Sequence, residues 1–222
     1  MTATRNSAAA WVRRVRQTCV FCALGVIVAG CGASRPVKYY VLDPDTTRGL
    51  AAVTTASPRF PIRILVARIA SSHLYRDDRL VYGFGPVQLG TYEYQRWAEP
   101  PVEMLQDSLV ATLRATGQYR SVSAIGSNLR GEYIVRGRLN ALDEVNKPEI
   151  AARFSIDLEL FDSRSGATVW TDSYSQDEPV TGKTVPDVVE ALDRNVRSGM
   201  QQLSANLGQY FVNHPPQAIS PR

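Results

Sequence analysis

Histidine and cysteine are the scarcest chemistry-bearing residues in this 222-residue chain. There are 2 histidines and 3 cysteines, and all three cysteines (Cys19, Cys22 and Cys31) lie in the first 31 residues. A histidine-based metal site or a Ser-His-Asp triad would have to rest on His73, since His214 sits in the tail before Pro215-Pro216. A solvated loop histidine is the simpler reading of His73. No G-x-S-x-G, H-E-x-x-H or phosphate-loop string occurs. Gly83-Phe84-Gly85 lacks the third glycine of a dinucleotide fingerprint and reads as a turn. Asp162-Ser163-Arg164-Ser165-Gly166 lacks the spaced acids of a calcium loop. Asp43, Asp45, Asp77 and Asp78 read as solvated loop acids, because aspartate is mostly exposed. There is no internal repeat, no low-complexity segment and no basic stripe, so nucleic-acid binding has no support. The expectation is a non-enzymatic protein with no metal and no cofactor.

A long apolar run is also missing. The first candidate, residues 19–29, has 11 residues, whereas a bilayer core needs about 20. It follows Arg5, Arg13, Arg14 and Arg16, and no acid occurs among residues 1–30. A basic stretch, a short apolar stretch and then small residues make the layout of a secretory signal peptide. This changes the meaning of the net charge. The whole chain has 25 Lys and Arg against 21 Asp and Glu, a formal +4. The four extra charges are those of residues 1–30, and residues 31–222 hold 21 of each sign.

The junction Val28-Ala29-Gly30-Cys31 looks like the bacterial lipobox. The expectation is that Cys31 is lipid-modified and, after cleavage, becomes the new N-terminus. Each buried methylene contributes about 0.8 kcal/mol, so several acyl chains on one residue anchor a domain stably. Gly32, rather than Asp, follows the cysteine and favours delivery to the outer membrane, on its periplasmic face. The mature chain then has neither a free thiol nor a disulfide, and its stability rests on core burial.

The predicted organisation is a signal peptide over 1–30, a lipidated tether over 31–37, one periplasmic domain over 38–211 and a loose tail over 212–222. Residues 38–42 are aromatic and β-branched and read as a first strand. Residues 45–58 read as a Thr- and Ala-rich loop. Residues 62–69 are nearly all apolar and read as a buried central strand. Residues 79–82 and 89–96 are further strands. Val102, Leu105, Leu109 and Leu113 fall on one helical face, with Thr112 and Thr116 at its far end. Pro100 and Pro101 suit that helix's start, Glu99 and Glu103 its positive end, and Gly117 its stop. Residues 119–123, 133–140 (with continuation to 145), 154–160 and 167–175 are strands, the last two joined by a hairpin loop at Gly166. A second helix begins near Pro186, with Asp187 and Glu190 at its positive end. Its apolar stripe is Val189, Leu192, Val196, Met200, Leu203 and Leu207. Two amphipathic helices need a sheet face to cover. The predicted fold is therefore α+β, a two-layer sandwich whose mixed, mostly antiparallel sheet is packed by both helices.

Arg96-Trp97-Ala98-Glu99-Pro100-Pro101 stands out. In one reading it is a strand-to-helix corner, where Trp97 packs and Arg96 or Glu99 caps or pairs. In the other, part of it also faces a partner, since Trp and Arg are favoured interface anchors.

Tyr39, Tyr40 and Leu42 follow soon after the lipobox cysteine, and Tyr92-Glu93-Tyr94-Gln95-Arg96-Trp97-Ala98-Glu99-Pro100 leads into the first helix. On these two segments the chain resembles the ABC-type transport auxiliary lipoprotein family, which includes the paraquat-inducible protein C type. The resemblance implies a non-catalytic component of a transport system containing MCE-domain proteins, moving phospholipid or other hydrophobic molecules between inner and outer membranes. It implies an MCE-domain periplasmic partner and marks Tyr39, Tyr40, Arg96, Trp97, Glu99 and Pro100 as a partner interface or a structural motif. A homo-oligomer is left open. The alternative is an envelope-integrity lipoprotein that docks a periplasmic partner without a transport role.

Overall fold

The structure, a computed structural model, describes residues 35–42, 57–84, 87–126, 130–146 and 149–216. The expected signal peptide, the lipobox with Cys31 and most of the 45–58 loop lie outside the described residues. Nine strands form one sheet: β1 (Lys38–Tyr40), β2 (Phe60–Val66), β3 (Ala70–Ser71), β4 (Arg79–Gly83), β5 (Leu89–Trp97), β6 (Tyr119–Ala124), β7 (Tyr133–Val145), β8 (Ala151–Asp162) and β9 (Ala167–Pro179). Helix α1 (Pro101–Ala115) follows β5, and α2 (Val185–Asn213) closes the fold. A short 3-10 turn at His73–Tyr75 links β3 to β4.

The 13-residue β7 organises the sheet. One of its edges carries the antiparallel β8, which in turn pairs with β9. Three strands share its other edge, all parallel to it: β2 against Tyr133 to Val135, β3 against Arg138 and Leu139, and β4 against Asp143 to Val145. β6 extends the sheet beyond β2, and β5 then β1 extend it beyond β4. The sheet is thus mixed and open. Its long ladders are antiparallel, but the short pairings along that forked edge are all parallel.

The helices obey their apolar stripes. The expected side chains of α1 are buried, and Met104 and Val110 widen the buried face. Gly117 ends this helix at φ 63°, a left-handed conformation that suits glycine. At α2, a capping box between Thr184 and Asp187 satisfies the first turn, with Pro186 just inside it. Both helices lie on the sheet face that carries Phe154, Ile156, Leu158 and Leu160, all at most 2% exposed. On the opposite face, Arg136 and Arg138 of β7 and Asp157 and Glu159 of β8 are exposed. There Arg136 lies opposite Glu159 and Arg138 opposite Asp157, an arrangement that balances charge across strands.

Three local expectations need correction. The first strand stops at Tyr40 rather than Leu42. β3 was not visible in the pattern, since two residues cannot show alternation. The tail expected from Val212 begins later, because α2 keeps its ladder through Asn213, and the His214 N–H still reaches the Tyr210 carbonyl at 2.8 Å.

Candidate functional site

The two sequence segments singled out above, 50 residues apart at their nearest, meet in one corner of the sheet. β1 lies parallel to the end of β5, with Lys38 beside Gln95, Tyr39 beside Arg96 and Tyr40 beside Trp97. The Tyr40 hydroxyl donates to Gln95 Oε1 at 2.7 Å. The Ala98 N–H donates to the Tyr40 carbonyl at 2.7 Å, and the Trp97 N–H to the Asp78 carbonyl. Three stretches of chain therefore converge on Trp97.

The residues of the corner divide by exposure. Trp97 is 1% exposed and belongs to the main core, and its indole N–H has no hydrogen-bond partner. A side chain so enclosed packs the corner and presents nothing to a partner. Arg96 is half-buried. Its Nη1 pairs with Asp78 Oδ1 at 2.7 Å. Arg79 lies directly across from Arg96 on β4. Two guanidinium groups facing one another would repel. Asp78 answers one, and Asp77 lies 3.6 Å from Arg79 Nε and answers the other. Asp77 and Asp78, expected to be merely solvated, are thus the counter-charges of this corner. Pro100 is the N-cap of α1, and its carbonyl accepts from the Glu103 N–H at 2.9 Å. Glu99 is exposed beside it. Tyr39 is 63% exposed, and Val37 and Val41, just outside the edge strand at either end, are 40% and 51% exposed.

Two buried acids escaped the sequence reading. Asp143 and Glu144 sit next to each other on β7 at 2% and 5% exposure. Alternation sends their side chains to opposite faces of the sheet. The Tyr75 hydroxyl donates to Asp143 Oδ1 at 3.1 Å, and burial pushes the Asp143 carboxyl up to about 6 against that bond. The Arg153 guanidinium is close enough to lower it in part, but Arg153 is itself paired with Asp177 at 2.9 Å. On the other face the Tyr92 hydroxyl donates to Glu144 Oε2 at 2.8 Å. Burial and then this bond hold the Tyr92 hydroxyl protonated well above its ordinary range. Nothing in a strand pattern distinguishes an exposed acid from a buried one that finds a tyrosine. His73, in the 3-10 turn, is exposed. Among the described residues no group of three or more His, Cys, Asp or Glu is placed to hold a metal, and no helix is long and apolar enough to cross a membrane.

The family model of the ABC-type transport auxiliary lipoprotein component matches residues 40–207. A crystal structure of a protein from Xanthomonas campestris is similar at a TM-score of 0.67 and 19% identity, covering 80% of this chain and 99% of that one. A second crystal structure, of an uncharacterized protein, is similar at a TM-score of 0.59 and 17% identity, with the same coverage of 80% and 99%. At these identities the two structures share the fold with this chain. No curated protein matches the sequence.

Proposed function

The chain belongs to the ABC-type transport auxiliary lipoprotein family, and from that membership we propose that it is a non-catalytic docking subunit, acylated at Cys31 and held on the periplasmic face of the outer membrane. Its partner is an MCE-domain periplasmic protein, and the system moves phospholipid or another hydrophobic molecule between the two membranes. The observation that carries the docking role is the β1 edge. Lys38 to Tyr40 add a strand to β5, and Val37, Tyr39 and Val41 are exposed at 40%, 63% and 51%. Apolar side chains on an edge strand are costly to leave in water and invite a partner. Arg96 and Glu99 flank the strip with polar groups, a common rim for an apolar contact.

The test is co-purification. Tagged protein extracted in mild detergent should bring an MCE-domain protein with it, and Tyr39→Asp should abolish that recovery while the domain stays folded. Repeated recovery of the chain alone, or equal recovery by Tyr39→Asp, would refute docking at this edge. Unchanged lipid distribution in a deletion strain would move the chain to the envelope-integrity alternative.

A further inference from the structure

We propose that the β4–β5 hairpin tip is a second membrane contact, which seats the domain against the bilayer surface that holds its acyl anchor. The proposal rests on the reading of Cys31 as acylated and adds a direct contact by the protein itself.

Among its described residues the tip exposes three apolar side chains beside Gln88. Phe84 and Leu89 are each 49% exposed and Val87 is 94% exposed. These three are close in the fold, because the Phe84 N–H donates to the Gln88 carbonyl at 3.0 Å and closes the turn. Residues 80–92 form a run of thirteen without an Asp, Glu, Lys or Arg, in a chain that is 21% charged. Just behind the tip, Tyr82 makes edge contacts with Phe84 at 5.1 Å and with Tyr92 at 4.8 Å. Gly90 leaves room for the Tyr82 ring, since a Cβ there would stand 2.7 Å from its Cζ. Apolar residues at a tip with tyrosines behind them match the layering of a bilayer interface, where tyrosine sits at headgroup level. The turn between β7 and β8 shares this end of the sheet, because Gly83 pairs with Val145. That turn carries exposed Glu149, so only the hairpin tip enters the apolar layer.

Topology supplies the occupant. β1 is parallel to β5, so the chain enters β1 from the end of the sheet where β5 begins, and β5 begins at the hairpin tip. Lys38 stands beside Gln95, six residues along β5 from Leu89. At about 3.3 Å per residue this is about 20 Å. Cys31 precedes Lys38 by seven residues, which reach at most about 25 Å. Seven residues can therefore span the distance from Lys38 back to the level of Leu89, at the base of the tip. An exposed apolar tip at the anchored end of a lipoprotein faces lipid before it faces anything else.

Depth measurement tests this. Under the anchoring reading Cys19 and Cys22 leave with the signal peptide and the Cys31 thiol is blocked, so Val87→Cys places one nitroxide label on the mature protein. Thr171→Cys, on exposed β9, is the aqueous control. Both are reconstituted in phosphatidylethanolamine–phosphatidylglycerol vesicles, and collisions with oxygen and with a nickel chelate are compared. We expect the oxygen-to-nickel ratio at 87 to exceed that at 171 at least threefold. Phe84→Ser with Leu89→Ser should bring position 87 back to the aqueous value. Equal ratios at 87 and 171 on acylated, vesicle-bound protein would overturn the tip contact and leave the anchor intact. Spin–spin broadening at 87 would overturn it in favour of a second copy, and immobilisation only on adding an MCE-domain protein would overturn it in favour of that partner. Mass spectrometry showing an unmodified Cys31 would overturn the anchoring reading, and the tip contact with it.

Discussion

Replacing Trp97 separates packing from partner binding. The side chain is 1% exposed and its indole N–H is buried without an acceptor. Trp97→Ala removes nearly the whole side chain from a corner where β1, β5 and the Asp78 segment converge, and should cost about 3–5 kcal/mol. Trp97→Phe is a different experiment. It loses about 40 Å³, worth about 1 kcal/mol at roughly 24 cal/mol per Å³ of cavity. It also removes the unpaired donor, whose burial costs about 1–3 kcal/mol. The two effects oppose one another, so Trp97→Phe should lie between parental stability and about 2 kcal/mol above it. Urea unfolding followed by circular dichroism reads this directly. With a slope of about 2 kcal/mol/M, the alanine variant should shift the midpoint down by about 1.5–2.5 M, and the phenylalanine variant should leave it in place or raise it by up to about 1 M. Trp97→Phe should also keep full partner recovery. A phenylalanine variant as unstable as the alanine one would refute the orphan-donor reasoning. A fully stable alanine variant that fails only in partner binding would refute the burial itself.

Further outcomes are expected elsewhere in the molecule. Asp143 titrates near 6 when folded, above its unfolded range, so its contribution to stability is full below about pH 4 and is lost as pH rises through about 6. Asp143→Asn should therefore gain on the parent by up to about 3 kcal/mol between pH 4 and pH 7.5, and a difference independent of pH would refute the assignment. Gly199 of α2 faces Tyr174, where a Cβ would stand 2.7 Å from the ring; Gly199→Ala should lower the melting temperature despite better helix propensity, with overpacking of about 1–3 kcal/mol outweighing a gain of about 1. Asn195, 1% exposed, accepts from the Tyr174 hydroxyl and donates to the Ala152 and Gln176 carbonyls. Asn195→Ala should cost at least about 2 kcal/mol in the same urea assay. Cys31→Ala should accumulate as an unprocessed or mislocalised precursor, and normal outer-membrane fractionation of that variant would refute the anchor.

Residues that interact with near neighbours were legible in the sequence. The stripe of Val189, Leu192, Val196, Met200, Leu203 and Leu207 repeats every three to four residues, which leaves a helix with one buried face and little choice. The alternation from Phe154 to Leu160 and the Gly166 turn made the β8–β9 hairpin equally plain, and Gly166 takes φ 71° there. The basic residues among 1–30 and the Val28-Ala29-Gly30-Cys31 string, on which the proposed anchor rests, are likewise chain-local. Alternation, however, states that a strand has a buried face and never which strand sits at its edge. That β1 pairs with β5, that Tyr40 and Trp97 meet, and that β2, β3 and β4 share one edge of β7 are contacts between distant residues. They are set by which pairing buries the most apolar area at the least loop cost. The same long-range packing buries Asp143 and Glu144, encloses Trp97 and leaves Phe84, Val87 and Leu89 outside. The sequence by itself determined the α+β pattern, and it carries the string on which the proposed anchor rests. Only the tertiary structure decided which aromatic residues are core and which are surface, because exposure depends on what the rest of the chain places on top of them.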